Sequence, residues 1–428
     1  MPHQIALTIL AEVKPGEADD LKGLLTSLDA SSRVADKPGA DPLPFTQLDM
    51  VHFARFFVLD ETKDLDGERI PPQLVFLTDL DAPLHRYLRR LTDVAGGMLD
   101  QIFRHCQGYP ERATRLERLA YLRARTIKTD TVYINAPGRT VQQIRQEARL
   151  RDAIQEFLDR PGQHWADRSP ADVRAAVQAF VRGDPELAWA RGPARPPGLL
   201  WRTKERLHLV AAPLLLLALS PLLLLGAPVW LVSLRLHELR DGSPHLRPDS
   251  DRVEDNAASE DHVIQNPLSG VGFIKPGRFR LLTLTGILWL ISYTTRHVFN
   301  TGSLAGVTTI HFARWVVIDN RRRVFFASSY DGSLESYMDD FIDKIAWGLN
   351  AVFSNGVGYP RTRWLVMEGA RDEQAFKGFL HTYQVSTQLW YSAYRNMTTA
   401  NIANNAAIRA GLHGSMSNEE TERWLRRL

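Results

Sequence analysis

Residues 74–110 read LVFLTDLDAPLHRYLRRLTDVAGGMLDQIFRHCQGYP, and residues 324–360 read VFFASSYDGSLESYMDDFIDKIAWGLNAVFSNGVGYP. The two stretches align without a gap, 250 residues apart, with ten of 37 positions identical. Phe76, Asp81, Leu84, Tyr87, Asp93, Leu99, Phe103, Gly108, Tyr109 and Pro110 recur as Phe326, Asp331, Leu334, Tyr337, Asp343, Leu349, Phe353, Gly358, Tyr359 and Pro360. Upstream, HFARFFVLD at 52–60 matches HFARWVVID at 311–319, and VKPG at 13–16 matches IKPG at 274–277. Three matches in one order predict a duplicated unit.

Within the first copy, IALTILAEV reads as a strand and EADDLKGLLTSL as a helix. VHFARFFVLD and PQLVFLTDL then form two strands rich in Val, Phe and Leu. A long helix follows: Pro83 suits its first turn, Leu84, Tyr87, Leu88 and Leu91 recur at helical spacing, and Gly108 and Pro110 stop it. TVYIN at 131–135 is the expected fourth strand. In the second copy VGFIKPG, IHFARWVVID, RVFFASSY and RWLVMEG are the expected strands, with helices near 281–293 and 334–353. Strand, helix, strand, strand, helix, strand is the ferredoxin-like order.

Between Arg206 and Arg235 lie 28 residues without Lys, Arg, Asp or Glu, enough to reach across a bilayer core of roughly 30 Å. Pro213, Pro221 and Pro228 interrupt this run, and a single crossing would place the two copies on opposite sides. A re-entrant hairpin is therefore expected. Arg202, Lys204 and Arg206 before it, with Arg235 and Arg240 after it, put the main body on the cytoplasmic side. LLTLTGILWLISY at 281–293 is too short to span and is expected to dock on the hairpin or dip into lipid, with a buried core helix as the alternative.

The expected fold class is α+β: two tandem ferredoxin-like (βαββαβ) repeats forming a pseudo-two-fold α+β barrel, with the membrane hairpin inserted between them. The repeats occupy 1–160 and 267–428, the second with aromatic C-terminal helices. Between them come a helical linker at 161–206, the hairpin at 207–236 and a polar loop at 237–266. Inside the linker, SPADVRAAVQAFVRGD at 169–184 has Ser at an N-cap and Pro at N1, the signature of a surface helix. His237, His245 and His262 in the polar stretch lack ligand-like spacing and read as exposed.

Composition narrows the function. Lys+Arg number 52 against 49 Asp+Glu, a net charge of +3 that gives no footprint for nucleic acid. The single cysteine, Cys106, excludes a disulfide framework and a cysteine zinc cluster. No phosphate-binding glycine loop, dinucleotide fingerprint, HExxH, CxxC or GxSxG occurs, so ATPase, dinucleotide dehydrogenase, zinc protease and serine hydrolase chemistry all drop.

The repeated HFAR strand carries the most chemistry per residue. Strict alternation puts His52, Ala54, Phe56 and Val58 on one face and Phe53, Arg55, Phe57 and Leu59 on the other, with His311 and Arg314 divided likewise. Barring a bulge, His and Arg cannot share a ligand. The Arg face is expected against helices, pairing with Asp81 or Asp331, and the His face against a cavity. His52, His311, Arg55 and Arg314 are the candidate catalytic residues, the histidines as general bases or as core hydrogen-bonding groups.

Tandem ferredoxin-like units resemble the architecture of the dimeric α+β barrel superfamily, which includes dye-decolorising peroxidases and chlorite dismutases. The resemblance lies in element order; the GxxDG-type distal motif is absent. In that superfamily haem is held by a helix histidine of the C-terminal half, which implies His381 as first haem ligand and His311 as second. Trp315, Tyr383 and Trp390 complete the candidate cofactor-binding residues. The stretches QNPLSGVGFIKPGRFR, TTIHFARWVVID, SSYDGSLESYMDDFIDK, GYPRTRWLVMEGARDE and STQLWYSAYRN also resemble a bacterial family, a likeness that implies a fold and no activity. Two functions follow. One is a membrane-attached oxidoreductase, peroxidase- or monooxygenase-like, acting on a lipophilic molecule in a barrel cavity, with haem or without a cofactor. The other is a non-enzymatic lipid-binding or scaffold protein that recruits a partner enzyme. Membrane lipid and a lipophilic small molecule are the implied partners, with a second copy of the chain or a partner oxidoreductase left open.

Overall fold

The apolar runs form two antiparallel sheets, seen in a computed structural model that describes residues 4–34, 43–162, 164–194, 199–242, 244, 246–260, 262–299 and 302–428. The first contains β1 (Gln4–Glu12), β2 (Val51–Leu59), β3 (Gln73–Asp81), the short β4 (Thr126–Ile127) and β9 (Leu389–Ser392), in the order β9-β2-β3-β1-β4. The second contains β5 (Thr131–Ile134), β6 (Gln265–Phe273), β7 (Ile310–Ile318) and β8 (Arg323–Asp331), in the order β5-β7-β8-β6.

Each sheet thus borrows an edge strand from the other half of the chain. Thr131 pairs with Trp315 and Ile134 with Phe312, whereas Leu389 pairs with Phe56 and Ser392 with Phe53. This corrects the expectation for TVYIN, which is a strand but lies on the second sheet. In the first sheet it is β4 that pairs with β1, at Thr8 and Ile9. RWLVMEG is likewise no sheet strand: it holds a two-residue hairpin, Thr362–Arg363 with Met367–Glu368. The fourth strand of the C-terminal half lies inside the aromatic segment expected to be helical.

Helices α1 (Ala18–Val34), α2 (Leu84–Val94), α3 (Gly96–Phe103) and α4 (Arg115–Ala124) cover the outer face of the first sheet, burying Leu21, Tyr87, Leu91 and Phe103 against Phe56 and Phe76. The long helix expected after Pro83 breaks at Ala95, before the Gly96–Gly97 pair. Helices α9 (Arg278–His297), α10 (Leu334–Phe353) and α11 (Glu373–Tyr383) cover the second sheet. Phe57, Leu59, Val75 and Leu77 meet Val316, Ile318, Phe325 and Ala327 between the sheets. A third cluster joins α5 (Val141–Leu158) and α6 (Pro170–Gly183) to α12 (Thr399–Gly411) and α13 (Asn418–Leu425), through Leu150, Val177, Ile408 and Trp424. Ser169 caps α6 as its sequence predicts, accepting from the Asp172 N–H.

The expected hairpin is instead one uninterrupted helix, α7 (Leu199–Arg240), with all three prolines inside it. It is about 63 Å long at 1.5 Å per residue, roughly twice a bilayer core. Leu207–Arg240 is long and apolar enough to cross a membrane, and its apolar window is 0% buried. Both ends of that apolar stretch touch α9. The His208 carbonyl accepts from Tyr293 Oη at 3.1 Å and its ring stacks on His297; farther along, Trp230 Nε1 donates to Thr283 Oγ1 at 3.3 Å and His237 stacks on Phe279. Near the C-terminal end, Leu234 and Glu238 are fully buried. The polar stretch after α7 is not all loop, because α8 (Ser250–Ser259) forms within it; His245 lies outside the described residues.

Because β9 covers the edge of β2, the N-terminal half lacks part of its own sheet. A chain ended at residue 194 is expected to unfold in urea without a cooperative transition by circular dichroism, unlike the full chain. A sharp transition in the shortened chain would show that the first sheet stands alone.

Candidate functional site

Both HFAR strands are bulged at their histidine. Val51 opposes Leu80 and Phe53 opposes Asp79, so His52 has no partner across the ladder. Ile310 opposes Tyr330 and Phe312 opposes Ser329, skipping His311. The extra residue reverses the strict alternation on its N-terminal side. Val51, Ala54, Phe56 and Val58 face the helices, while His52, Phe53, Arg55 and Phe57 all point between the sheets. The expectation that the Arg face meets helices is thereby overturned, and His and Arg share one compartment.

That compartment is a buried polar network. His52 Nε2 lies 3.1 Å from Asp81 Oδ1, and His311 Nε2 lies 2.7 Å from Asp331 Oδ1. A carboxylate only accepts, so each Nε2 carries the proton in these bonds. His52 Nδ1 then accepts from Tyr394 Oη at 3.0 Å. Each aspartate uses its other oxygen to start a helix: Asp81 Oδ2 accepts from Val141 N at the head of α5, and Asp331 Oδ2 from Thr399 N at the head of α12. Burial drives the Tyr394 phenol well above its ordinary range, with the charges of Asp79, Asp81 and Asp331 adding to the shift.

The arginines cross between sheets. Arg55 donates to the carbonyls of Leu268 and Ser328 and to Ser269 Oγ and Ser329 Oγ, and lies over Trp390 at 4.9 Å. Arg314 donates to the Leu7 carbonyl and to the Asp79 carboxylate. The expected pairing of arginine with Asp81 or Asp331 is not what forms, since both aspartates are taken by histidine. At the position matching Asp79 in the other half stands Ser329, so the direct partners of Arg55 are neutral. Burial pulls its guanidinium down to about 9, with nearby Asp79 resisting.

The compartment is full. The gap bounded by His52, His311, Phe312 and Tyr394 measures about 10 Å³, room for one water at most. Small-molecule pockets run to several hundred Å³, so this gap beside His311 has no room for a haem, and Trp390, stacked on Phe53, lines a separate gap of about 50 Å³. The other cofactor candidates lie elsewhere. Trp315 and Tyr383 line an apolar gap of about 60 Å³ on the helix side of the second sheet, where Gly270 leaves room for the Tyr383 carbonyl 3.4 Å from where a Cβ would stand. His381 sits apart on α11 with Nε2 3.6 Å from Glu335. These donors do not converge, and no group of His, Cys, Asp and Glu suited to a metal ion occurs among the described residues.

The largest of the described cavities was not visible in the sequence. It is an open cleft of about 730 Å³ between α9 and the crossing from β4 to β5, lined by Leu10, Ile127, Lys128, Leu288, Trp289, Tyr293, Arg296, Val317 and Arg321. Its residues come from four separate segments, none with a motif. The one available signal was the apolar run of α9. No protein-family model and no curated protein matches this chain.

Two outcomes follow from the filled interior. Asp79→Ala strands the buried Arg314 and is expected to cost about 3–5 kcal/mol in urea denaturation, whereas Ser329→Ala removes one hydrogen bond to Arg55 and is expected to cost about 1.5–3 kcal/mol. Equal losses would show that Asp79 is not the counterion. Protein purified from haem-replete cells is expected to show no Soret band; a band lost on His311→Ala would show that the interior opens to admit the group, and one lost on His381→Ala would place a haem at α11.

Proposed function

We propose that this protein is a monotopic membrane-surface protein that binds lipid, with α7 embedded in one leaflet and the two-sheet body held against the bilayer. The carrying observation is the strand exchange. Residues before α7 supply β5 to the second sheet and residues after it supply β9 to the first, so both ends of α7 lie on the same side of any membrane it enters. A helix of this length and apolar character, with Leu214, Leu217, Leu222, Leu224 and Leu225 all more than half exposed, has no stable place in water. Three prolines each remove a helix hydrogen bond and permit it to bow.

The lipid-binding reading is favoured over an oxidoreductase by the filled interior: the His and Arg side chains already serve one another, while the roomy cleft lies outside them beside α9. The body itself reads as two ferredoxin-like units joined in a pseudo-two-fold α+β barrel. Supporting this, β2-β3-β1-β4 follows the ferredoxin-like strand order, and the bridge between Gly270 and Gln384 stands where β1 meets β4 in the other half.

Cysteine labelling tests the topology cleanly. Cys106 is fully buried, and burial pushes its thiol up to about 12, so it stays protonated and unreactive at mildly alkaline pH. Glu186→Cys and Glu419→Cys sit on exposed sites before and after α7. Reconstituted into sealed vesicles, both are expected to react with a membrane-impermeant maleimide to the same extent. Labelling of one and protection of the other would establish a crossing helix.

A further inference from the structure

The open cleft has a closed counterpart across the two halves. There Val385, Ser386 and Thr387 take the places of Ile127, Lys128 and Thr129, and with Asn256 of α8 they line a gap of about 50 Å³. Ser386 Oγ donates to Asn256 Oδ1 at 2.5 Å, and Gln384 Nε2 donates to Glu260 Oε1 at 3.0 Å. The cleft beside α9 measures about 730 Å³.

Its chemistry is amphipathic. Leu10, Ile127, Leu288 and Val317 make the floor, and Lys128, Arg296 and Arg321 stand exposed at the rim. Among the described residues, the two carboxylates that line the cleft are turned to internal work: Asp130 Oδ2 accepts from Val317 N, and Asp319 accepts from Gln73 and Arg323. Arg321 is presented by a turn in which Asp319, Asn320 and Arg321 all have left-handed backbone, φ 51, 51 and 69°, a conformation that persists only where surrounding contacts impose it. Trp289, 68% exposed on α9, stands at the wall with Tyr293, the ring types that settle at the headgroup level of a bilayer.

We propose that this cleft binds an anionic phospholipid drawn from the membrane, its phosphate held by Lys128 and Arg321, with Arg296 beside them at the rim, and its upper acyl chain on the apolar floor. The proposal rests on the membrane-surface reading, and continuity with α9 and α7 commits the ligand's source to the bilayer.

The test uses the full chain with vesicles of phosphatidylcholine alone and of phosphatidylcholine with phosphatidylglycerol, plus native mass spectrometry of lipid retained in detergent. The variant Lys128→Ala/Arg296→Ala/Arg321→Ala is expected to lose roughly tenfold or more in affinity for the mixed vesicles and to lose retained phosphatidylglycerol, while still binding phosphatidylcholine. Arg86→Ala/Arg112→Ala/Arg123→Ala removes the same charge at exposed sites elsewhere and is expected to keep both properties. Thr285→Trp, which fills the cleft from the exposed side of α9, is expected to lose the retained lipid with the cations intact. Equal losses in the two triple variants, or none in either, would overturn the cleft as a site. Saturable binding of inorganic phosphate that displaces phosphatidylglycerol would overturn the lipid source. Failure of the unmodified protein to bind either vesicle would overturn the membrane reading, and the cleft proposal with it.

Discussion

The exchange of edge strands between the two sheets constrains everything else in this molecule. Once β5 lies on β7 and β9 lies on β2, the chain on either side of α7 is one body, and the most apolar helix becomes a loop of that body. The exchange is held in register by groups that tolerate no alternative. Asp81 and Asp331 each bind a bulged histidine with one oxygen and a helix start with the other. Those helices begin just after the exchanged strands, so the buried carboxylates fix the chain where it leaves the sheet it has joined. Arg55 and Arg314 reach across the interface to carbonyls of the opposite sheet. Pulling the halves apart would leave buried cations and backbone carbonyls without partners, a cost of several kcal/mol for each broken charged pair.

Reading the sequence recovers local elements better than their assembly. The matched segments, the alternation in HFARFFVLD and the helix stop at Gly108 lie in residue order, where periodicity and turn chemistry report them. Gly108 and Gly358 indeed take left-handed backbone, φ 69 and 82°. Which strand a given edge strand pairs with leaves no trace in alternation, so TVYIN is recognised as a strand and assigned to the wrong sheet. A bulge is equally silent. One extra residue at His52 and at His311 reverses face parity, and with it the reading of which side holds arginine and which partner each aspartate finds. The prolines of α7 mislead in another way: a missing hydrogen bond bends a helix without ending it when the apolar run continues on both sides.

At matched positions the two halves carry different residues. Asp79 is answered by Ser329, leaving Arg55 with neutral direct partners where Arg314 has a carboxylate. Tyr394, which packs against both histidines, is answered by Ala136, and the residual gap beside His311 lies there. These changes tune a packed interior and open no route into it. In Asp81, His52 and Tyr394 the network has the members of a proton relay, yet a relay sealed from solvent has nothing to exchange protons with. The same residue types that suggest catalysis in a sequence are here hydrogen-bonded to one another across a buried crossing.

The outer layers differ far more, and in one direction. Helices α1 and α9 occupy corresponding places over their sheets. The early turns of α1 carry Asp19, Asp20 and Lys22, an aqueous face. On α9 the outward positions are Leu282, Trp289 and Leu290, all more than half exposed. Beside α9 runs α7, whose apolar length also has no cover from the body. All of this apolar exposure falls on one side of the molecule, whereas α8 closes the cleft near α1. On the membrane-surface reading proposed above, a bilayer against that face covers α7 and α9 together and meets the open cleft beside α9.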